Sequence, residues 1–233
     1  MDNIPSINAG ISELLRYLAA LPDDGIGRIP TLAELSQELG ISTATLREQL
    51  EVARMMGIVE VRPKTGIRKL DFSFRPAAIT SLSYAMSENP SSFNAFSDLR
   101  KHLEAAYFVE AAQLLTPADL DALEKIIARA FEKIHSGYLQ VPYTEHHEFH
   151  LLIYRHIQNI FITGILEAYW EIYRSSGLEL YPDVQYLNRI WQYHARILEM
   201  IRRKDFAQGL TVLLEHMDLI KTREKTIPQQ SFE

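Results

Sequence analysis

The sequence predicts a mainly α chain of 233 residues in two parts, an N-terminal winged helix-turn-helix with a small two-stranded wing followed by an all-α antiparallel helical bundle. Three observations predict it. Residues 31–50 spell two short amphipathic helices around a glycine, and residues 58–70 alternate as two short strands around Pro63-Lys64-Thr65-Gly66. From residue 94 onward, long stretches of helical periodicity follow one another with few strand signals. The domains this implies are 1–71 and 76–228, with a linker near 71–75.

Taken in order, Ile7, Ile11, Leu14, Leu15 and Leu18 recur at helical spacing, so Ser6 to Leu21 is expected to be the helix that closes the small first core. Thr31 is placed to cap the second helix, and Glu34 three residues on completes a capping box. Gly40 ends that helix, Ile41 supplies an apolar plug, and Ser42 caps the third. The first turn of this third helix carries Thr43, Thr45 and Arg47 outward, the arrangement that fits a major groove. Gly57 ends it. The run Ile58 to Arg62 and the run Ile67 to Leu70 then suit two strands joined by a turn, with Arg62, Lys64 and Gly66 at the basic tip of the wing.

Beyond the linker, helical stretches are expected at 75–86, 94–115, 117–135, 144–157, 160–176, 185–203 and 206–226. Thr116-Pro117-Ala118-Asp119 is a helix start with a capping threonine, proline at the first position and an acid at the positive end. Loops this short make successive helices antiparallel neighbours.

Composition narrows the function. With no cysteine, disulfides and thiolate metal sites are excluded, and the absence of an apolar run of roughly 20 residues argues against a membrane span. A cytoplasmic address is the expectation. The net charge of −6 is unfavourable for nucleic acid, but residues 28–70 hold seven basic and five acidic side chains, with Arg62, Lys64, Arg68 and Lys69 crowded together. So modest a patch predicts weak binding by one copy, hence a homodimer on a double-stranded DNA operator.

Four of the eight histidines form a pattern. His146 and His150 are four apart on one helix face. His194 and His216 are equidistant from residue 205, the expected turn of the last helical hairpin, so folding there brings both to the same height. His194 shares a stripe with Ile190, Ile197 and Ile201, and His216 with Leu213 and Ile220, so both point inward. Singly, each histidine reads as a core residue; together they suggest a divalent metal. His102, His135, His147 and His156 lack this convergence.

The N-terminal residues from Arg28-Ile29-Pro30-Thr31 through Ser42 to Leu50, Gly57-Ile58-Val59 and Gly66 resemble the winged-helix reader of GntR-type bacterial regulators. The DNA contacts expected are Arg28, Ser42, Thr43, Thr45, Arg47, Arg62, Lys64 and Gly66, and the resemblance places Arg47 where the family's recognition-helix arginine sits. The family commonly has arginine where this chain has Thr43, which weakens one expected phosphate or guanine contact. Residues from Leu99 to Arg223 resemble the all-helical FCD effector module of the FadR branch, on Leu99 to Glu104, Glu148-Phe149-His150 with Asn159 downstream, Tyr193 to Leu198, and Asp205 to His216. That resemblance implies a metal held by three histidines, matched by His150, His194 and His216, and by an aspartate, whose place His146 takes. It also implies a small carboxylate metabolite as effector, with Arg100 and Asn159 as its contacts.

Four neutral imidazoles leave a divalent ion with its full double charge and favour zinc or nickel over hard oxygen-seeking cations. Alternatively, His146 swings away and water completes a three-histidine site, or the histidines grip the effector directly. Arg100 has a competing partner in Glu104, one turn away. The function expected is a metabolite-responsive, metal-containing regulator, a repressor, with activation equally compatible. The rival is a metal-dependent hydrolase using Glu145 or Glu148 as base, and a third reading is a histidine-lined module whose winged helix contacts protein.

Overall fold

The computed structural model describes residues 10–22, 29–64, 66–175 and 183–224. The chain divides into two compact units, Met1–Ser81 and Leu82–Glu233, each with its own core.

In the first unit, helices α1 (Glu13–Ala20), α2 (Leu32–Leu39) and α3 (Thr43–Met55) precede strands β1 (Val59–Arg62) and β2 (Gly66–Lys69). The expected capping box is present. The Thr31 backbone N–H donates to Glu34 Oε2 at 2.7 Å and the Glu34 N–H donates to Thr31 Oγ1 at 3.3 Å, which together stabilise the start of α2 by about 1 kcal/mol. Gly40 closes α2 in the left-handed region at φ 68°, and the Ser36 hydroxyl donates to the Ile41 carbonyl at 2.7 Å, fixing the turn. Ser42 caps α3 through the Thr45 N–H. Leu35 and Leu46 are fully buried with Leu14, Leu18, Ala53 and Val59, so truncating either leucine removes about 2–5 kcal/mol.

The first helix differs from expectation. It begins at Glu13 because Ser12 caps it by accepting from the Leu15 N–H, which leaves Ile11 before the cap and 37% exposed; Ser6 and Ile7 lie outside the described residues. Helical spacing at Ile11 was therefore coincidental, because a local hydroxyl–backbone bond ends the helix there. The wing is an antiparallel pair in which Val59 faces Lys69 and Arg62 faces Gly66, turned by Lys64 at φ 70° and Gly66 at φ 79°.

Helix α4 (Arg75–Glu88) starts in the first unit and ends in the second. The second unit continues with α5 (Ser92–Leu114), α6 (Pro117–His135), α7 (Tyr143–Tyr154), α8 (Ile160–Ser175), α9 (Val184–Arg202) and α10 (Phe206–Glu224). Packing runs from α5 to α7, α6, α9, α10 and back to α5, while α8 lies on α5 and α7. Inside this circuit the apolar stripes pack around Phe108, Leu123, Phe149, Ile153, Trp191, Ile197 and Leu213. The Thr116 capping box on Asp119 starts α6 where the sequence placed it. The α9–α10 turn falls at Arg203, Lys204 and Asp205.

Candidate metal centre

The circuit of helices encloses a polar point in an otherwise apolar core. His146 and His150 come from α7, His194 from α9 and His216 from α10. Their relative exposures are 8%, 1%, 0% and 1%, so all four are withdrawn from water. One ring nitrogen from each lies within 4.8 Å of those of the others. His150 Nε2 is 3.3 Å from both His194 Nε2 and His216 Nε2. The α7 pair follows from i, i+4 spacing, and the other two from the hairpin turn midway between them.

Elementary electrostatics sets their charge state. Burial disfavours the imidazolium, and the neighbouring imidazoles together with Arg100 reinforce it, so His146, His150, His194 and His216 are held well below the usual histidine range. They are neutral near pH 7, the form that ligates metals. Glu104 decides the tautomer of His150. Its Oε2 lies 2.8 Å from His150 Nδ1, and an ionised carboxylate only accepts, so Nδ1 carries the proton and Nε2 presents a lone pair to the other rings.

The residues fit a metal on two grounds. A single lone pair on His150 Nε2 cannot fully satisfy two facing N–H donors, whereas a cation satisfies three facing lone pairs at once. Nitrogens about 2.0–2.1 Å from a tetrahedral zinc are separated by about 3.3–3.4 Å, which the two 3.3 Å separations match, while the full set of four spans up to 4.8 Å and would close on a bound ion.

Arg100 and Glu104, on α5, are 3% and 0% exposed and form an ion pair, Nε to Oε1 at 2.5 Å. Burial raises the Glu104 carboxyl above its ordinary range, opposed by the Arg100 charge. The guanidinium also stacks over Tyr169 at 4.3 Å and Trp170 at 4.5 Å. Thus the competing partner of Arg100 takes its Nε, while its Nη2 is buried with no hydrogen-bond partner. Trp170, on α8, reaches the same point: its ring lies edge-on to His146 at 4.7 Å and near His150 at 5.2 Å.

Other sequence candidates go elsewhere. Asn159 turns its Oδ1 to the backbone N–H groups of Phe161 and Ile162, capping α8 at 3.1 and 3.4 Å. Glu145, considered as a base, is buried and held by Lys133 at 2.8 Å, with Arg129 at 3.8 Å. His156 pairs with Asp119, and His135 with Asn188. Neither the role of Glu104 nor that of Trp170 was foreseen. The available signal for Glu104 was its register: Arg100, Glu104, Phe108 and Ala111 share one buried stripe, so the ion pair lies on an apolar face. Nothing in local spacing points to Trp170.

In the first unit, Thr43 and Arg47 are exposed on α3, while the Ser42 and Thr45 hydroxyls lie 2.9 Å apart. Arg62 and Lys64 are exposed on the wing, and Glu60 accepts from Arg62 Nε at 2.9 Å. Lys69 leaves the expected basic cluster, since its ammonium donates inward to the Leu21 carbonyl at 3.1 Å. Arg28 lies outside the described residues.

Comparison with known proteins agrees with this architecture. The family model described as FCD domain matches residues 96–219. The Uxu operon regulator of Haemophilus influenzae is 22% identical, over 84% of this chain and 73% of that protein. The Glc operon transcriptional activator of Escherichia coli is 27% identical, over 76% of this chain and 72% of that protein. Among solved structures, Streptococcus agalactiae GntR superposes with a TM-score of 0.64 at 21% identity, covering 90% of this chain and 96% of the other.

Proposed function

The chain belongs to the FCD-domain family, and on that premise we propose that it is a GntR-type transcriptional regulator whose helical unit holds a divalent metal and answers to a small carboxylate metabolite. It binds a double-stranded DNA operator as a homodimer in the cytoplasm, and effector binding changes the affinity of the paired readers for half-sites roughly 34–36 Å apart. Repression relieved by the metabolite is the sign we propose.

One observation carries the ligand reading. Among the described residues, the buried side-chain nitrogens without a hydrogen-bond partner all belong to residues of one cluster, Arg100, His146, Trp170, His194 and His216; the first three are Nη2, Nε2 and Nε1, and the last two are the outer Nδ1 atoms. Native proteins seldom leave such atoms unsatisfied, so their concentration supports a bound ligand. His146, His150, His194 and His216 would hold the metal, which would supply positive charge for an anion; zinc or nickel suits four imidazoles. With the Nε2 lone pairs of His194 and His216 turned to the ion, their Nδ1 atoms face away from it, which leaves Arg100 Nη2 and Trp170 Nε1 as the donors that call for an oxygen-rich partner. Arg100 is the proposed carboxylate contact through its free Nη2.

On α3, Thr43 and Arg47 are accessible to base edges, and on the wing Arg62 and Lys64 are accessible to phosphates, which supports DNA reading. Ser42, Thr45 and Gly66 shape these elements rather than offer long side chains. Pairing is supported by the exposed apolar residues Leu99, Ala106 and Val109 along one face of α5. The named relatives are regulators, and the hydrolase reading has no support: Glu145 is tied to Lys133 and Arg129, and Glu148 is partly exposed and paired with Arg129. Footprinting on the chain's own upstream region, with and without zinc and a panel of small carboxylic acids, tests the function. Protection released by one acid supports it, and unchanged DNA in every lane overturns it.

A further inference from the structure

We infer that Glu104 is a positioning residue that links the histidine cluster to Arg100, so that metal occupancy and neutralisation of Arg100 by an anion favour each other. This rests on the metal reading above. One carboxylate oxygen receives the His150 Nδ1 proton at 2.8 Å and the other receives Arg100 Nε at 2.5 Å. The Glu104 backbone carbonyl also accepts the Tyr154 hydroxyl at 2.9 Å, so α5 is tied to α7 at this residue through its main chain as well as its side chain.

Charge explains the coupling. Without metal, the buried groups are four neutral imidazoles and one compensated Arg–Glu pair, with no net charge. A divalent ion brings the same enclosed volume to +2, with Arg100 repelling the ion and drawing the Glu104 charge away from His150. An anion on the unpartnered Arg100 Nη2 cancels part of that charge and frees Glu104 to polarise His150, which strengthens its lone pair. By linkage, the metal raises anion affinity by the same factor. Arg100 stacks on Trp170, and Trp170 borders His146, so the same residues carry the effect to α8.

The test is a double-mutant cycle on the full chain, with zinc affinity measured by competition with a chromophoric chelator and ligand field by the visible absorption of bound cobalt. Glu104→Gln is expected to weaken zinc about 10–100-fold and to shift the cobalt bands. Arg100→Gln, which mimics neutralisation, is expected to tighten zinc severalfold in the parent and much less in the Glu104→Gln background. Arg100→Gln with Glu104→Gln removes both buried charges at nearly constant volume and guards against misfolding, with melting of the metal-free proteins as the check. Additive effects, or a folded double variant with parental zinc affinity and cobalt spectrum, would overturn the coupling while leaving the metal site intact. A parent chain that binds neither metal would overturn the metal reading itself, and this inference with it.

Discussion

His194 and His216 lie ring to ring, with centroids 4.3 Å apart, because the turn between α9 and α10 falls midway between them in the sequence. Two neutral imidazoles so close, with a third facing both, gain more from a shared cation than from each other.

Accordingly, protein purified without chelator is expected to carry about one equivalent of zinc or nickel per chain by plasma mass spectrometry. His150→Ala or His216→Ala should lower metal affinity at least about 100-fold, since each removes a ligand. His147→Ala, one position from the cluster face, should leave it unchanged. A metal-free protein that ignores added zinc counts against the site.

The metal-free protein should lose stability in acid at a defined point. The folded pKa values of the four imidazoles are depressed by burial, so below about 6.5 the unfolded chain takes up protons that the folded chain refuses. Stability is therefore complete above that pH and falls as pH drops, by up to about 1.4 kcal/mol per pH unit for each imidazole. Urea midpoints in chelator, flat from pH 8 to 7 and falling steeply towards pH 5, are the expected result. Midpoints that do not move in that range would mean that the rings charge freely.

Gly57→Ala is expected to destabilise the first unit by at least about 2 kcal/mol. Gly57 holds φ at +69°, and an added Cβ would approach Pro76 Cγ to 2.5 Å. Both the left-handed backbone and the collision act in one direction. Thermal melting that moves by less than a degree would contradict this.

On DNA, Arg47→Ala should weaken operator binding about 10-fold or more in gel shifts, the scale of one lost bidentate base contact. Lys64→Ala should weaken all sequences alike and flatten the salt dependence. Equal operator affinity for parent and Arg47→Ala would remove Arg47 from the reading face.

Much of this fold was legible because its helix boundaries are chemical. The start of α6 at Pro117 follows from the threonine, proline and aspartate there, and Gly40 with Ser42 marks the turn before α3. The four-histidine cluster was legible because i, i+4 spacing and a hairpin midpoint are both countable. Errors arose where one short bond overrides periodicity, as when Ser12 starts α1 after Ile11, or where a charge turns inward, as Lys69 does. Glu104 was read only as the neighbour of Arg100, since its second oxygen meets a residue 46 positions away. Such a contact belongs to tertiary packing and leaves no trace in local spacing.

Asp119 does more than begin a helix. Its carboxylate also grips Arg155 at 3.0 Å and His156 at 2.8 Å just past the end of α7, while Glu145 near the start of α7 grips Lys133 of α6. Fastened at both ends to the same partner, α7 is a fixed rail on which His146 and His150 ride, so adjustment of the cluster falls to the hairpin that brings the other two rings.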